Sequence, residues 1–185
     1  MTVILTIPGL WNSGPQHWQT LWEGQAEACP PVRFRRVQQR NWDVPDRAAW
    51  VETLDAAVRA AAEAPVLAAH SLGCTLVAQW AKERGGRGVR GAFLVAPSDI
   101  EAPRYPPEAR SFDAMPLDPL PFPSVVVASA DDEWVTLERA AAFARAWGSR
   151  FVDIGAAGHI NGASGYGPWP EGQAMLFDFC AALKS

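Results

Sequence analysis

Apolar residues fall along this chain in two alternating rhythms. Short runs rich in β-branched side chains, TVILTI (2–7), VRFRRV (32–37), PVLAAH (65–70), VRGAFLVA (89–96), SVVVASA (124–130) and RFVDI (150–154), carry the pattern of strands. Between them, PQHWQTLWEGQAEA (15–28), DRAAWVETLDAAVRAAAEA (46–64), LGCTLVAQWAKER (72–84), TLERAAAFARAW (136–147) and EGQAMLFDFCAALK (171–184) place apolar residues near three- and four-residue spacings, as helices with a buried stripe do. The alternation predicts an α/β fold with a sheet of about six strands. Runs such as SVVVA and FLVA are apolar on consecutive residues, the mark of strands covered on both faces, so the sheet is expected to be mostly parallel in a three-layer arrangement.

In open α/β sheets, ligands bind beyond the carboxyl ends of the strands. The loops that follow the strands, 8–15, 38–45, 70–73, 97–123, 130–135 and 155–170, are therefore where chemistry is expected. The longest of them, 97–123, is dense in proline; it excludes regular helix and central strand and reads as a pocket wall or a mobile flap.

Length and charge narrow the function. The 185 residues fit one domain, assigned to 1–185. A net charge of −4, with no basic run beyond Arg33, Arg35 and Arg36, gives no electrostatic footprint for nucleic acid or an anionic membrane, so a small molecule is the expected partner. Cys29, Cys74 and Cys180 are widely spaced, without a CxxC pair or a neighbouring histidine pair, and imply neither a disulfide framework nor a metal site. Cys74 reads as a small buried residue at a helix start. The stretch MTVILTIPGL lacks a basic leader and is interrupted by Pro8 and Gly9; it matches neither a signal peptide nor a membrane span, and the expected location is cytoplasmic.

The stretch LAAHSLGCTL (67–76) carries the first chemical signal. A buried strand, then Ala69, His70, Ser71, Leu72 and Gly73 before a helix, follows the GxSxG nucleophile turn with Ala69 in place of the first glycine. The competing reading is a serine that caps the helix by accepting a bond from its first amides. A serine nucleophile needs a base, and the base needs an orienting carboxylate. Of the three histidines, His17 precedes the serine and His70 adjoins it on a turn that points the two side chains apart. His159, in the glycine-rich loop after the last strand, is left as the base. The acid lies among Asp131, Asp132 and Glu133, with Asp132 favoured and one of the three expected to cap the next helix. Two amides are expected to form an oxyanion hole: Leu72 N–H, and Leu10 N–H from the loop after the first strand, with Trp11 N–H as the substitute.

Nine tryptophans are many for this length. Trp18, Trp22, Trp50, Trp80 and Trp147 lie in helical segments and read as core, whereas Trp11, Trp42, Trp134 and Trp169 fall in loops at the active edge. Trp11, Trp134 and Trp169, with His17 at a helix start after Pro15, are expected to line an apolar substrate pocket, although the loop tryptophans also read as clamps between loops.

The segments PGLWNSGPQHWQTLWE, AAHSLGC, ASADDEWV and GHINGASGYGPWPEG, in this order, resemble the retinoblastoma-binding-protein-9-like, or YdeN-like, family of small α/β-hydrolases. The resemblance spans nearly the whole chain. It implies a hydrolase fold without a large cap domain, with Ser71 as nucleophile, Asp132 as acid and His159 as base, and an activity on small esters that requires no cofactor. Amidase or peptidase activity by the same residues, or a protein-binding module that keeps the fold, are the other readings the sequence leaves open.

Overall fold

A computed structural model describes residues 2–25 and 32–183. Six strands form one parallel sheet in the order β2-β1-β3-β4-β5-β6: β1 Thr2–Ile7, β2 Val32–Arg36, β3 Val66–His70, β4 Gly91–Val95, β5 Ser124–Ala128 and β6 Arg150–Asp153. Five helices connect or follow them: α1 Trp18–Glu23, α2 Arg47–Arg59, α3 Leu72–Arg84, α4 Leu137–Trp147 and α5 Pro170–Ala182.

Each central strand is buried along its whole length, and its alternate side chains feed two separate cores. Ile4, Val66, Ala68, Phe93, Val95, Val125 and Val127 pack with Trp18 and Trp22 of α1 and Leu176 and Phe179 of α5. Leu5, Ile7, Leu67, Leu94 and Val126 face the other way, toward Trp50 and Leu54 of α2, Val77 and Trp80 of α3, and Phe143 and Trp147 of α4. The sheet thus lies between two helical layers, and all five helix tryptophans are nearly or wholly buried, as their spacing predicts.

Strand order reverses between β1 and β3, and the loops leaving these two neighbours converge there. Their contact is backbone to backbone. A Cβ on Gly73 would lie 2.3 Å from the Ile7 carbonyl oxygen, and one on Gly9 would lie 2.8 Å from Ser71 Cβ and 2.9 Å from Leu72 N. Only residues without a side chain permit this approach of α3 to the end of β1.

Several elements are shorter than their patterns suggest. α2 stops at Arg59: Ala60–Ala64 has no buried face to hold, and Pro65 disfavours helix in the residue before it. α1 begins at Trp18 with His17 as its N-cap, whose Nδ1 accepts from Gln19 N–H at 3.2 Å, so Pro15 lies before the cap and not in the first turn. The expected continuation of this helix through Ala28, together with Cys29, lies outside the described residues, as does Lys184. The loop 97–123 is a wall and contains a 3₁₀ helix, Pro107–Phe112, held down by Ala109, Phe112, Met115 and Phe122 against the α2–α3 side of the core. Among the described residues no separate cap domain stands over the carboxyl edge of the sheet.

Candidate active site

Ser71 sits between β3 and α3 with φ 57° and ψ −127°, a conformation that L residues with a side chain avoid and that strand-to-helix nucleophile turns impose. It occupies the N-cap position of α3 but makes no capping bond. Its Oγ lies 2.9 Å from His159 Nε2 instead. The hydroxyl therefore does not cap the helix; it is aimed away from the helix amides.

His159 Nδ1 lies 2.9 and 2.8 Å from the two oxygens of Asp132, whose carboxylate is buried and also accepts from Trp134 N–H at 2.8 Å. The carboxylate holds the ring proton on Nδ1, which leaves the Nε2 lone pair to accept the Ser71 hydroxyl. A hydroxyl, an imidazole and a buried carboxylate in this order form an arrangement in which the ring takes the hydroxyl proton while the carboxylate stabilises the resulting imidazolium.

The three adjacent acidic residues separate by role. Asp131 turns to the other side and its Oδ1 accepts from Ser129 Oγ, Ala157 N–H and Gly158 N–H, each at 2.8 Å. The Gly158 amide foremost, then the Ser129 hydroxyl, hold its carboxyl below the usual range. Asp131 therefore anchors the loop that carries His159, a function the sequence did not separate from that of its neighbour. Glu133 is exposed. The cap of α4 is Thr136, which accepts from Arg139 N–H, so none of the three acids serves there.

All three histidines converge: ring centroids of His17 and His70 are 4.6 Å apart, and those of His70 and His159 4.8 Å. His70 Nε2–H donates to the His159 carbonyl oxygen at 2.8 Å, bracing the base from beneath the turn. Burial first, then His159 and Arg36, pushes His17 down to about 3, and burial, then His17 and His159, pushes His70 well down. Both are neutral at physiological pH. Cys74, one turn into α3, is no rival nucleophile, because burial pushes its thiol up and the sulfur donates to Val95 O.

A cavity of about 170 Å³ opens on Ser71 and His159. Of the residues expected in the pocket, Trp11, His17 and Trp134 line this cavity, and Leu10 joins them. Trp169 does not. It is 5% exposed and packs in the core, its indole stacked on Trp22 at 5.8 Å and edge-on to Trp18, because a left-handed turn at the start of α5 folds it under the helix. Trp42 likewise packs edge-on against Trp50. Its carbonyl oxygen takes Trp11 N–H at 2.9 Å, which removes that amide as a substitute oxyanion donor. Leu10 N–H and Leu72 N–H have no acceptor among the described residues.

Sequence reasoning missed Ser98. Its Oγ lies 2.6 Å from Ser71 Oγ, and it lines the cavity with Tyr105. The available signal was its place in APSD directly after β4, at the carboxyl edge, but a lone serine in a long loop does not reveal which neighbour it meets.

A parallel six-stranded sheet with a serine turn after β3 and a histidine loop after β6 defines an α/β-hydrolase. The chain belongs to the serine hydrolase family, whose model matches residues 4–178, and it is a hydrolase by that membership. A protein described as a YdeN-like hydrolase from Pectobacterium atrosepticum is 31% identical over 96% of this chain and 90% of its own, with a TM-score of 0.80. The ydeN gene product of Bacillus subtilis shares the fold at 20% identity, with coverage of 98% and 100% and a TM-score of 0.79. The esterase RhEst1 from a Rhodococcus species also shares the fold, at 15% identity, coverage of 99% and 91%, and a TM-score of 0.69. No curated protein sequence matches the chain.

Proposed function

We propose that the protein is a carboxylesterase acting on small esters, with Ser71 as nucleophile, His159 as general base and acid, and Asp132 as the orienting carboxylate. The observation that carries this reading is the continuous contact from Ser71 Oγ through His159 to buried Asp132 beneath one cavity. Membership of the serine hydrolase family and the likeness in fold to an esterase support it.

In the proposed reaction His159 Nε2 takes the Ser71 proton as Oγ bonds to the ester carbonyl carbon. The carbonyl π pair moves onto oxygen, where Leu72 N–H and Leu10 N–H receive it. Collapse breaks the bond to the alkoxy group, which leaves with the proton from His159. Water then attacks the acyl-enzyme, giving a proton to His159, and collapse returns Ser71 with release of the carboxylic acid. The 170 Å³ cavity, walled by Leu10, Trp11 and Trp134, suits a short acyl group. The reading includes a single catalytic domain, a small-molecule substrate and a cytoplasmic setting; no described helix is long and apolar enough to cross a membrane.

The test is a matched pair, ester and amide of one short acyl group, assayed with purified protein and Ser71→Ala. Ester turnover that falls at least about 10³-fold in the variant, with the amide much slower in the wild type, is the expected result. Unchanged ester turnover in Ser71→Ala, or an amide hydrolysed as fast as the ester, contradicts it.

A further inference from the structure

We propose that Ser98 is a second catalytic hydroxyl, one that acts in breakdown of the acyl-enzyme and not in its formation. This rests on the reading of Ser71 as the nucleophile. Ser71 gives its only hydrogen to His159 Nε2, so in the 2.6 Å contact between the two serines Ser98 is the donor and Ser71 Oγ the acceptor.

The position of Ser98 is fixed from three sides. It is 1% exposed and lies two residues after Ala96, whose φ is 48° and whose N–H bonds Val127 O at 2.8 Å. Asp99 next to it bonds Trp134 O through its backbone and takes both arms of Arg139 through its carboxylate at 2.8 and 2.9 Å. Beyond Ser98 lies Tyr105: burial pushes its phenol up, with the Ser98 side chain opposing the push, so the phenol stays protonated beside that hydroxyl. A donor held this firmly spends little on reorganisation when charge develops beside it.

Charge on Ser71 Oγ changes in opposite directions in the two half-reactions. During attack the oxygen uses a lone pair to make a bond and ends as an ester oxygen, a poor acceptor, so a donor aimed at it gives no help that grows toward the transition state. During deacylation the C–Oγ bond breaks, the electron pair returns to Oγ, and the proton comes from His159. Negative charge builds on Oγ while that bond stretches, and the Ser98 bond strengthens with it. No proton leaves Ser98, so the reaction balances without it; the hydroxyl only stabilises the departing oxygen.

The consequence is a split between the kinetic constants. With p-nitrophenyl acetate, whose good leaving group makes deacylation limiting, Ser98→Ala is expected to lower kcat by about 10–100-fold and to lower KM in proportion. The ratio kcat/KM, set by acylation, is expected to stay within about threefold, and the acetyl-enzyme mass adduct to accumulate on Ser71. Ser98→Thr, which keeps the hydroxyl, is expected to recover most of kcat. Equal falls in kcat and kcat/KM with KM unchanged, or no change in either, overturn the proposal. Fluorophosphonate labelling of Ser71 in each variant counts intact sites; loss of labelling in both Ser98→Ala and Ser98→Thr also overturns it, since acylation would then depend on more than the triad. If the wild type itself takes no label at Ser71, it is the nucleophile assignment that has failed.

Discussion

The histidine cluster makes a quantitative demand on stability. His17 is buried, neutral, and held at about 3, chiefly by desolvation and then by His159 and Arg36, whereas in the unfolded chain it titrates near its ordinary value of 6.5. A base whose folded value lies below its unfolded one contributes stability that is complete above 6.5 and is lost as pH falls, because the unfolded chain binds the proton first. At pH 5 the unfolded histidine is protonated and the folded one is not. About 1.5 pH units at roughly 1.36 kcal/mol each then give a loss of about 2 kcal/mol between pH 8 and pH 5 from His17 alone. His70 is shifted in the same direction for the same reason and adds to it. The assay is urea unfolding at both pH values for the wild type and for His17→Asn, which keeps a capping oxygen for Gln19 N–H without a titrating ring. The loss between pH 8 and pH 5 is expected to be about 2 kcal/mol smaller in the variant, a difference of about 1 M in urea midpoint. Equal losses in the two proteins refute the claim that His17 is kept neutral by the fold. Asp131, whose shift is also downward from a carboxylate value, titrates below this window and does not obscure it.

Three further substitutions test other parts of the account. Gly73→Ala, with its Cβ set 2.3 Å from the Ile7 carbonyl, is expected to destabilise by about 3 kcal/mol in chemical denaturation, since backbone must move on both sides of the contact. Trp169→Ala is expected to cost about 3–5 kcal/mol of stability while leaving KM for a small ester unchanged; a raised KM at full stability would return this residue to the pocket. Asp131→Ala frees Ala157 and Gly158 and is expected to lower kcat by about tenfold through displacement of His159, with fluorophosphonate labelling slowed to match; undiminished labelling contradicts its role as the anchor.

The architecture was legible because its signals are local. Runs apolar on consecutive residues fix β3, β4 and β5 as buried strands, and strand-helix alternation gives the parallel sheet whose carboxyl edge holds the site. The order of the proposed triad, Ser71, Asp132 and His159, was legible for the same reason, as each falls in a loop after its own strand. Side-chain direction within a loop was not. Asp131 and Asp132 are adjacent and chemically identical, yet one accepts loop amides and the other the imidazole, a distinction created by which part of the His159 loop each side chain meets. Trp169 and Trp11 both lie in loops, but the left-handed turn at 169 sends one indole into the core while the other is 54% exposed at the cavity. Ser98 and Ser71 are 27 residues apart and meet only because β3 and β4 are neighbours in the sheet.

The most direct test of the central claim is to treat the folded protein with an active-site fluorophosphonate and map the modified residue by peptide mass spectrometry. One phosphonyl group on Ser71, with labelling abolished in Ser71→Ala and slowed at least about 10³-fold in His159→Ala, is the predicted result. Absence of labelling in the folded wild type, or a label on any other residue, contradicts the assignment of Ser71 as the nucleophile.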